Sequence, residues 1–131
     1  MSIDFNKYDR AINPDWEPDA LVSLYMLTEN EGGRNKPVFS GYRPQYKVLP
    51  NYQTSTCHFF LNEDDYYFPG RAEKAFIKFI TPDAYPHCFK RNIEIDVCEG
   101  SRIVGRATIL EIYNELLLDS GDERTNPNPL V

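Results

Sequence analysis

Long apolar runs are missing from this 131-residue chain. Nothing in it approaches the roughly 18 residues that a membrane-spanning helix needs, so no membrane partner is expected. The opening Met1-Ser2-Ile3-Asp4-Phe5 lacks the basic and apolar regions of a secretory signal. Cysteine is scarce: Cys57, Cys88 and Cys98 are odd in number and irregular in spacing, which is no disulfide framework. Together these absences predict a cytoplasmic protein with reduced thiols. A positive surplus is missing too. The chain has 14 Lys and Arg against 20 Asp and Glu, a formal net charge of −6. Nucleic-acid binders usually carry a basic excess, so any such role here needs a local patch. The central body is nearly balanced, whereas the end carries Glu115, Asp119, Asp122 and Glu123 against Arg124.

Catalytic signals are as thin. No Gly-x-x-x-x-Gly-Lys-Ser/Thr phosphate loop occurs, so neither GTP binding nor GTP hydrolysis is expected. The two histidines each sit beside a cysteine, as Cys57-His58 and His87-Cys88. Neighbours on a strand point to opposite faces, so Cys57 and His58 cannot meet one ion. The spacing reads as a buried Cys57, an exposed His58 and a loop around residues 85–88. Nothing orients a Cys-His nucleophile, and Asp64-Asp65 reads as a solvated turn. The expectation is a protein that is not an enzyme and holds no metal or cofactor.

Aromatics and turn formers are plentiful: nine Tyr, eight Phe, ten Pro and seven Gly. Such a composition favours short strands joined by many turns. Strands are predicted over residues 21–28, 42–49, 54–61, 74–81, 91–98 and 102–113. Pro44 argues for an edge or a bulge. Ile93, Ile95 and Val97 alternate with Glu94 and Asp96, the period of a half-buried strand. Turn-rich segments separate the runs, including residues 30–37, the Phe68-Pro69-Gly70-Arg71 turn and the Glu99-Gly100-Ser101 turn. The count predicts an all-β fold, a small antiparallel barrel or sandwich. Three regions are expected: an arm at 1–15, the barrel at 16–113 and an acidic tail at 114–131. Leu116 to Leu118 read either as an extension of the last strand or as a short helix.

Three ordered motifs carry a resemblance. Residues 27–46, with Glu31-Gly32-Gly33-Arg34-Asn35-Lys36-Pro37 and Gly41-Tyr42-Arg43-Pro44-Gln45-Tyr46, resemble the opening of the third, C-terminal domain of bacterial elongation factor Tu. Phe68-Pro69-Gly70 is similar to that domain's Pro-Gly turn. Cys98-Glu99-Gly100-Ser101-Arg102-Ile103-Val104-Gly105 resembles its closing Glu-Gly hairpin. The likeness covers roughly residues 20–112 and implies a six-stranded antiparallel β-barrel without the factor's nucleotide domain.

The resemblance also implies where RNA would sit. In the family this domain touches the T-stem of aminoacyl-tRNA. The matching positions here are Arg34, Asn35, Gln45, Thr54 and Gly100. Asn35 stands where the family has histidine, Cys98 and Thr81 replace basic positions, and Leu49-Pro50-Asn51-Tyr52 replaces a polar basic tract. Arg34, Lys36, Arg43 and Lys47 would set the salt dependence of any RNA contact. The family domain also docks on proteins. A stand-alone copy is therefore expected to bind a translation-linked protein, as a decoy or immunity protein against a toxin. Weak tRNA binding and an accessory role beside the elongation factor are the alternatives. Phe5, Tyr8 and Ile12 recur at helical spacing in the arm, Trp16 stands just before the first strand, and all four are candidate protein-contact or covering residues. Gly33 and Gly100 are expected to hold special backbone geometry.

Overall fold

Alternation of apolar and mixed side chains decides which way each strand faces. The computed structural model describes residues 17–49, 52–61, 67–84 and 86–119. In it, β1 (Ala20–Met26) turns Ala20, Val22, Leu24 and Met26 into the core and leaves Leu21, Ser23 and Tyr25 on the outside. Five strands follow: β2 (Gln45–Leu49), β3 (Tyr52–Phe60), β4 (Ala72–Phe79), β5 (Glu94–Glu99) and β6 (Arg102–Ile112). They close in the order β1-β4-β3-β2-β5-β6, with β6 returning to β1 and every pairing antiparallel. The fold is thus the expected six-stranded antiparallel β-barrel.

Closure leaves no free edge, which corrects the edge reading of Pro44. Pro44 stands just before β2, where a missing N–H takes nothing from the ladder. Its carbonyl still accepts from the Thr56 N–H at 3.0 Å. The irregularity lies further on, where the β2–β3 register shifts between Tyr46 and Leu49. The expected strand at 91–98 begins only at Glu94, because Arg91 and Asn92 form a turn with Asn92 at a φ of 70°.

The core is aromatic. Phe60 stacks on Tyr67 with ring centroids 3.8 Å apart, and Phe79 meets both Tyr46 and Phe89. His58 is 0% exposed among these rings, while Cys57 is half-buried. That reverses the expected exposure of the pair. The phase of β3 is set by Thr54, Thr56 and Phe60, which all face inward and carry His58 with them. Burial holds the imidazole down to about 4, so it is neutral. Its Nδ1 lies 3.2 Å from the Tyr42 carbonyl and its Nε2 2.7 Å from the Tyr46 hydroxyl. The tautomer that fits both donates from Nδ1 and accepts the tyrosine O–H at Nε2.

Both ends of the barrel sequence are tied in. The Asp19 carboxylate accepts from the Phe79 N–H at 2.7 Å and from Asn114 Nδ2 at 2.9 Å. A short 3-10 turn, Glu115–Leu117, follows β6, capped by the Asn114 side chain. It drives Leu117 into the core at 0% exposure, and Leu118 bridges Phe89. Past the expected start of the tail at 114, the chain still packs on the barrel through Leu118. Residues 1–15, the turn at 64–65 and the remainder of the tail lie outside the described residues.

Candidate binding surface

Two loops meet at one rim of the barrel. The first is shaped by its own sequence. Glu31 reaches back to the Thr28 N–H at 3.0 Å, closing a capping box over the 3-10 turn Glu29–Glu31. Gly32 then takes a left-handed φ of 94°. Gly33 is needed for a different reason. A Cβ there would lie 2.0 Å from the Leu27 carbonyl oxygen. This loop delivers Arg34, Asn35 and Lys36 to the rim. The second loop is the β5–β6 hairpin, turned at Gly100 with a φ of 64°.

Arg34 joins the loops. Its guanidinium pairs with the Glu99 carboxylate and lies 5.7 Å from the centre of the Tyr42 ring. The Tyr42 hydroxyl donates to the same carboxylate at 2.6 Å. Burial first, and the hydrogen bond to Glu99 second, raise the Tyr42 phenol, which keeps it a donor. Arg102 donates to the Gly33 carbonyl at 3.1 Å. Between the loops is a cleft of about 270 Å³ whose lining also includes Glu29, Asn35 and Lys36.

Beside the rim, a row crosses the outer wall. The Ile80 N–H donates to the Ser55 carbonyl at 3.3 Å. Ser55 pairs with Gln45, Gln45 with Cys98, and Cys98 with Ile103. Four strand spacings make this row roughly 19 Å long. Leu49 faces Tyr52 at the nearby β2–β3 turn. Ile80 is 60%, Tyr52 57%, Leu49 44% and Ile103 37% exposed. Lys47 shares the outward side of β2 with Gln45 and is exposed, as is Arg43 just before the strand.

The sequence-predicted RNA residues divide. Arg34, Asn35 and Gly100 come to one rim, and Gln45 lies next to it through the Cys98–Glu99 segment. Thr54 does not join them. It pairs with Tyr46, faces the interior and is 6% exposed. Gln45 and Thr54 therefore lie on opposite sides of the wall. Phe5, Tyr8, Ile12 and Trp16 are outside the described residues. Sequence reasoning did not find Tyr42 and Glu99 as the groups that hold Arg34, because their separation along the chain hides the contact. It also missed Ile80, whose only signal is an apolar residue directly after the inward Phe79.

Burial pushes the Cys88 thiol up to about 11 and also raises Cys98, the reverse of an activated nucleophile. Among the described residues no cluster of three or more His, Cys, Asp or Glu is placed to hold a metal ion. No described helix is long and apolar enough to cross a membrane. No known protein family's model matches the chain.

Proposed function

We propose that this chain is a non-enzymatic binding module of the cytoplasm. It presents a barrel that resembles the third domain of elongation factor Tu to a translation-linked protein, as a decoy or immunity protein against a toxin. The observation that supports this reading is the outer row through Gln45, which exposed Ile80 and Ile103 flank, with exposed Leu49 and Tyr52 at the nearby β2–β3 turn. Aromatic and aliphatic groups around polar centres are the makings of a protein interface. Arg34 and Arg102, which a phosphate would call on, are already engaged by Glu99 and by the Gly33 carbonyl. The net charge of −6 suits a basic partner.

A second reading, weak binding of the tRNA T-stem, is supported by exposed Lys36, Arg43 and Lys47 near Gln45. An accessory role on the elongation factor itself would use the same wall. A photo-crosslinking side chain in place of Tyr52 or Ile103 separates these readings in cells. The expected product is an adduct with a toxin or a protein of the translation apparatus, lost on adding Ile80→Asp. Gel shifts with tRNA at low salt provide the other arm. A shift that is steep in salt and weakened by Gln45→Ala would replace the protein reading by the RNA one. Neither adduct nor shift would sink both.

A further inference from the structure

A second outward row crosses the barrel on β3, β4 and β1. Phe59 pairs with Phe76, and Phe76 with Leu21. All three point away from the core, since Phe60, Ala75, Ile77, Ala20 and Val22 beside them point into it. An outward side chain on a sheet stays wet unless something lies over it. Yet Phe76 is 0% and Leu21 5% exposed. The shielding is local, because Lys74 on the same side of β4 is exposed. Tyr113 flanks the row with its ring 6.3 Å from that of Phe76, and Leu61 and Leu110 pack at its margins.

The chain enters the barrel at this row. The Glu17 carbonyl accepts from Lys78 Nζ at 2.9 Å, and the Asp19 N–H donates to the Ile77 carbonyl at 2.8 Å. Lys78 stands two residues from Phe76 on the same outward side, roughly 7 Å along the strand. What precedes Glu17 therefore starts at the margin of the row. There the sequence carries Trp16 and, ahead of Asn13-Pro14, Ile12, Tyr8 and Phe5 at helical spacing, all large apolar groups. It also carries Asp4, Asp9 and Asp15 against Lys7 and Arg10, a small acidic surplus opposite in sign to Lys74 and Lys78, which bracket Phe76 along β4.

We propose that residues 1–16 dock on this outer face, with Trp16 against Phe76, and keep the row dry. The cover is intramolecular, and it stands independently of the binding partner proposed above. A foreign segment or a second copy can use the row only by displacing it.

Trp16 is the only tryptophan, so fluorescence of the intact chain reads the contact directly. The expected emission is blue-shifted from that of the urea-unfolded chain and is quenched more slowly by acrylamide. Phe76→Ala and Phe59→Ala should each move it to the red, whereas Ile103→Ala on the Gln45 wall should not. Phe59 is only half-buried, so its variant keeps the reading available if Phe76→Ala fails to fold, as far-UV circular dichroism will show. Native emission equal to that of the unfolded chain overturns the proposal. So does a blue shift that ignores the row variants, which places Trp16 elsewhere. A blue shift that disappears on dilution, together with a dimer in sedimentation, assigns the cover to a second copy and overturns the intramolecular docking.

Discussion

Two outer faces of one barrel carry large apolar side chains and treat them in opposite ways. On β1, β4 and β3, Leu21 and Phe76 are shut off from water. On the row through Gln45, Ile80 just after β4 and Ile103 on β6 stand open on either side of a buried Cys98. Strand β3 serves both, giving Phe59 to the closed row and Ser55 to the open one. An outward hydrophobe therefore has no fixed meaning in a closed sheet. Its energetic role follows from what lies over it. The closed row contributes to the protein's own stability, whereas Ile80 and Ile103 keep apolar groups in contact with water.

Stability measurements are the sharpest way to break that comparison. Phe76→Ala should lower unfolding stability by about 3–5 kcal/mol, the range for a large buried aromatic. Ile80→Ala and Ile103→Ala should each stay within about 0.5 kcal/mol, as exposed positions do. Urea denaturation midpoints at constant slope read both. Equal losses on the two faces would end the distinction.

The next effect lies in the wall that the two faces share. His58 is held down to about 4 in the folded state by burial. The unfolded chain, with its histidine near the ordinary value of about 6.5, binds the extra proton first. Stability is therefore fully present above pH 6.5 and falls as pH drops toward 4, by about 3 kcal/mol in all. In His58→Gln this part of the slope should vanish between those pH values. A parallel pH profile for both chains would show that the imidazole carries no such linkage.

Smaller effects come from the rim beside the open wall. Gly33→Ala puts a Cβ on the Leu27 carbonyl, 2.0 Å away with the present backbone, and should destabilise by about 1–3 kcal/mol. Gly100→Ala meets no neighbour within 4 Å and keeps only the strain of its φ of 64°, about 1 kcal/mol. Thermal melts of the two variants should rank in that order. The reverse ranking would mean that the hairpin turn, not the loop carrying Arg34, limits the geometry of the rim.

Much of the barrel was legible. Ile95 and Val97 alternate with Glu94 and Asp96 as their spacing required, and the turns at Gly70 and Gly100 fall where Pro-Gly and Glu-Gly stand. Phase was harder. Cys57-His58 has no apolar bias of its own, so its orientation followed from Thr54, Thr56 and Phe60, and the histidine went inside. The candidate surface was only partly readable. Gln45 and Thr54 look equivalent along the chain, but Thr54 pairs with inward Tyr46 and Gln45 with outward Ser55. Arg34 looks like a free cation until Glu99 and Tyr42 arrive from other strands.

The amino-acid sequence by itself determined the local choices: where strands alternate, where a left-handed turn needs glycine, and where Pro44 delays a strand. These depend on a residue and its near neighbours, through backbone sterics and the two-residue period of a strand. Tertiary structure alone decided closure of the six strands, the inward phase of His58, the capture of Arg34 and the unequal fates of the two outer rows. Each of those rests on contacts between residues far apart in the chain, such as Arg34 with Glu99 and Asp19 with Phe79 and Asn114. Burial and pairing exist only once the wall has closed, so no local pattern can carry them.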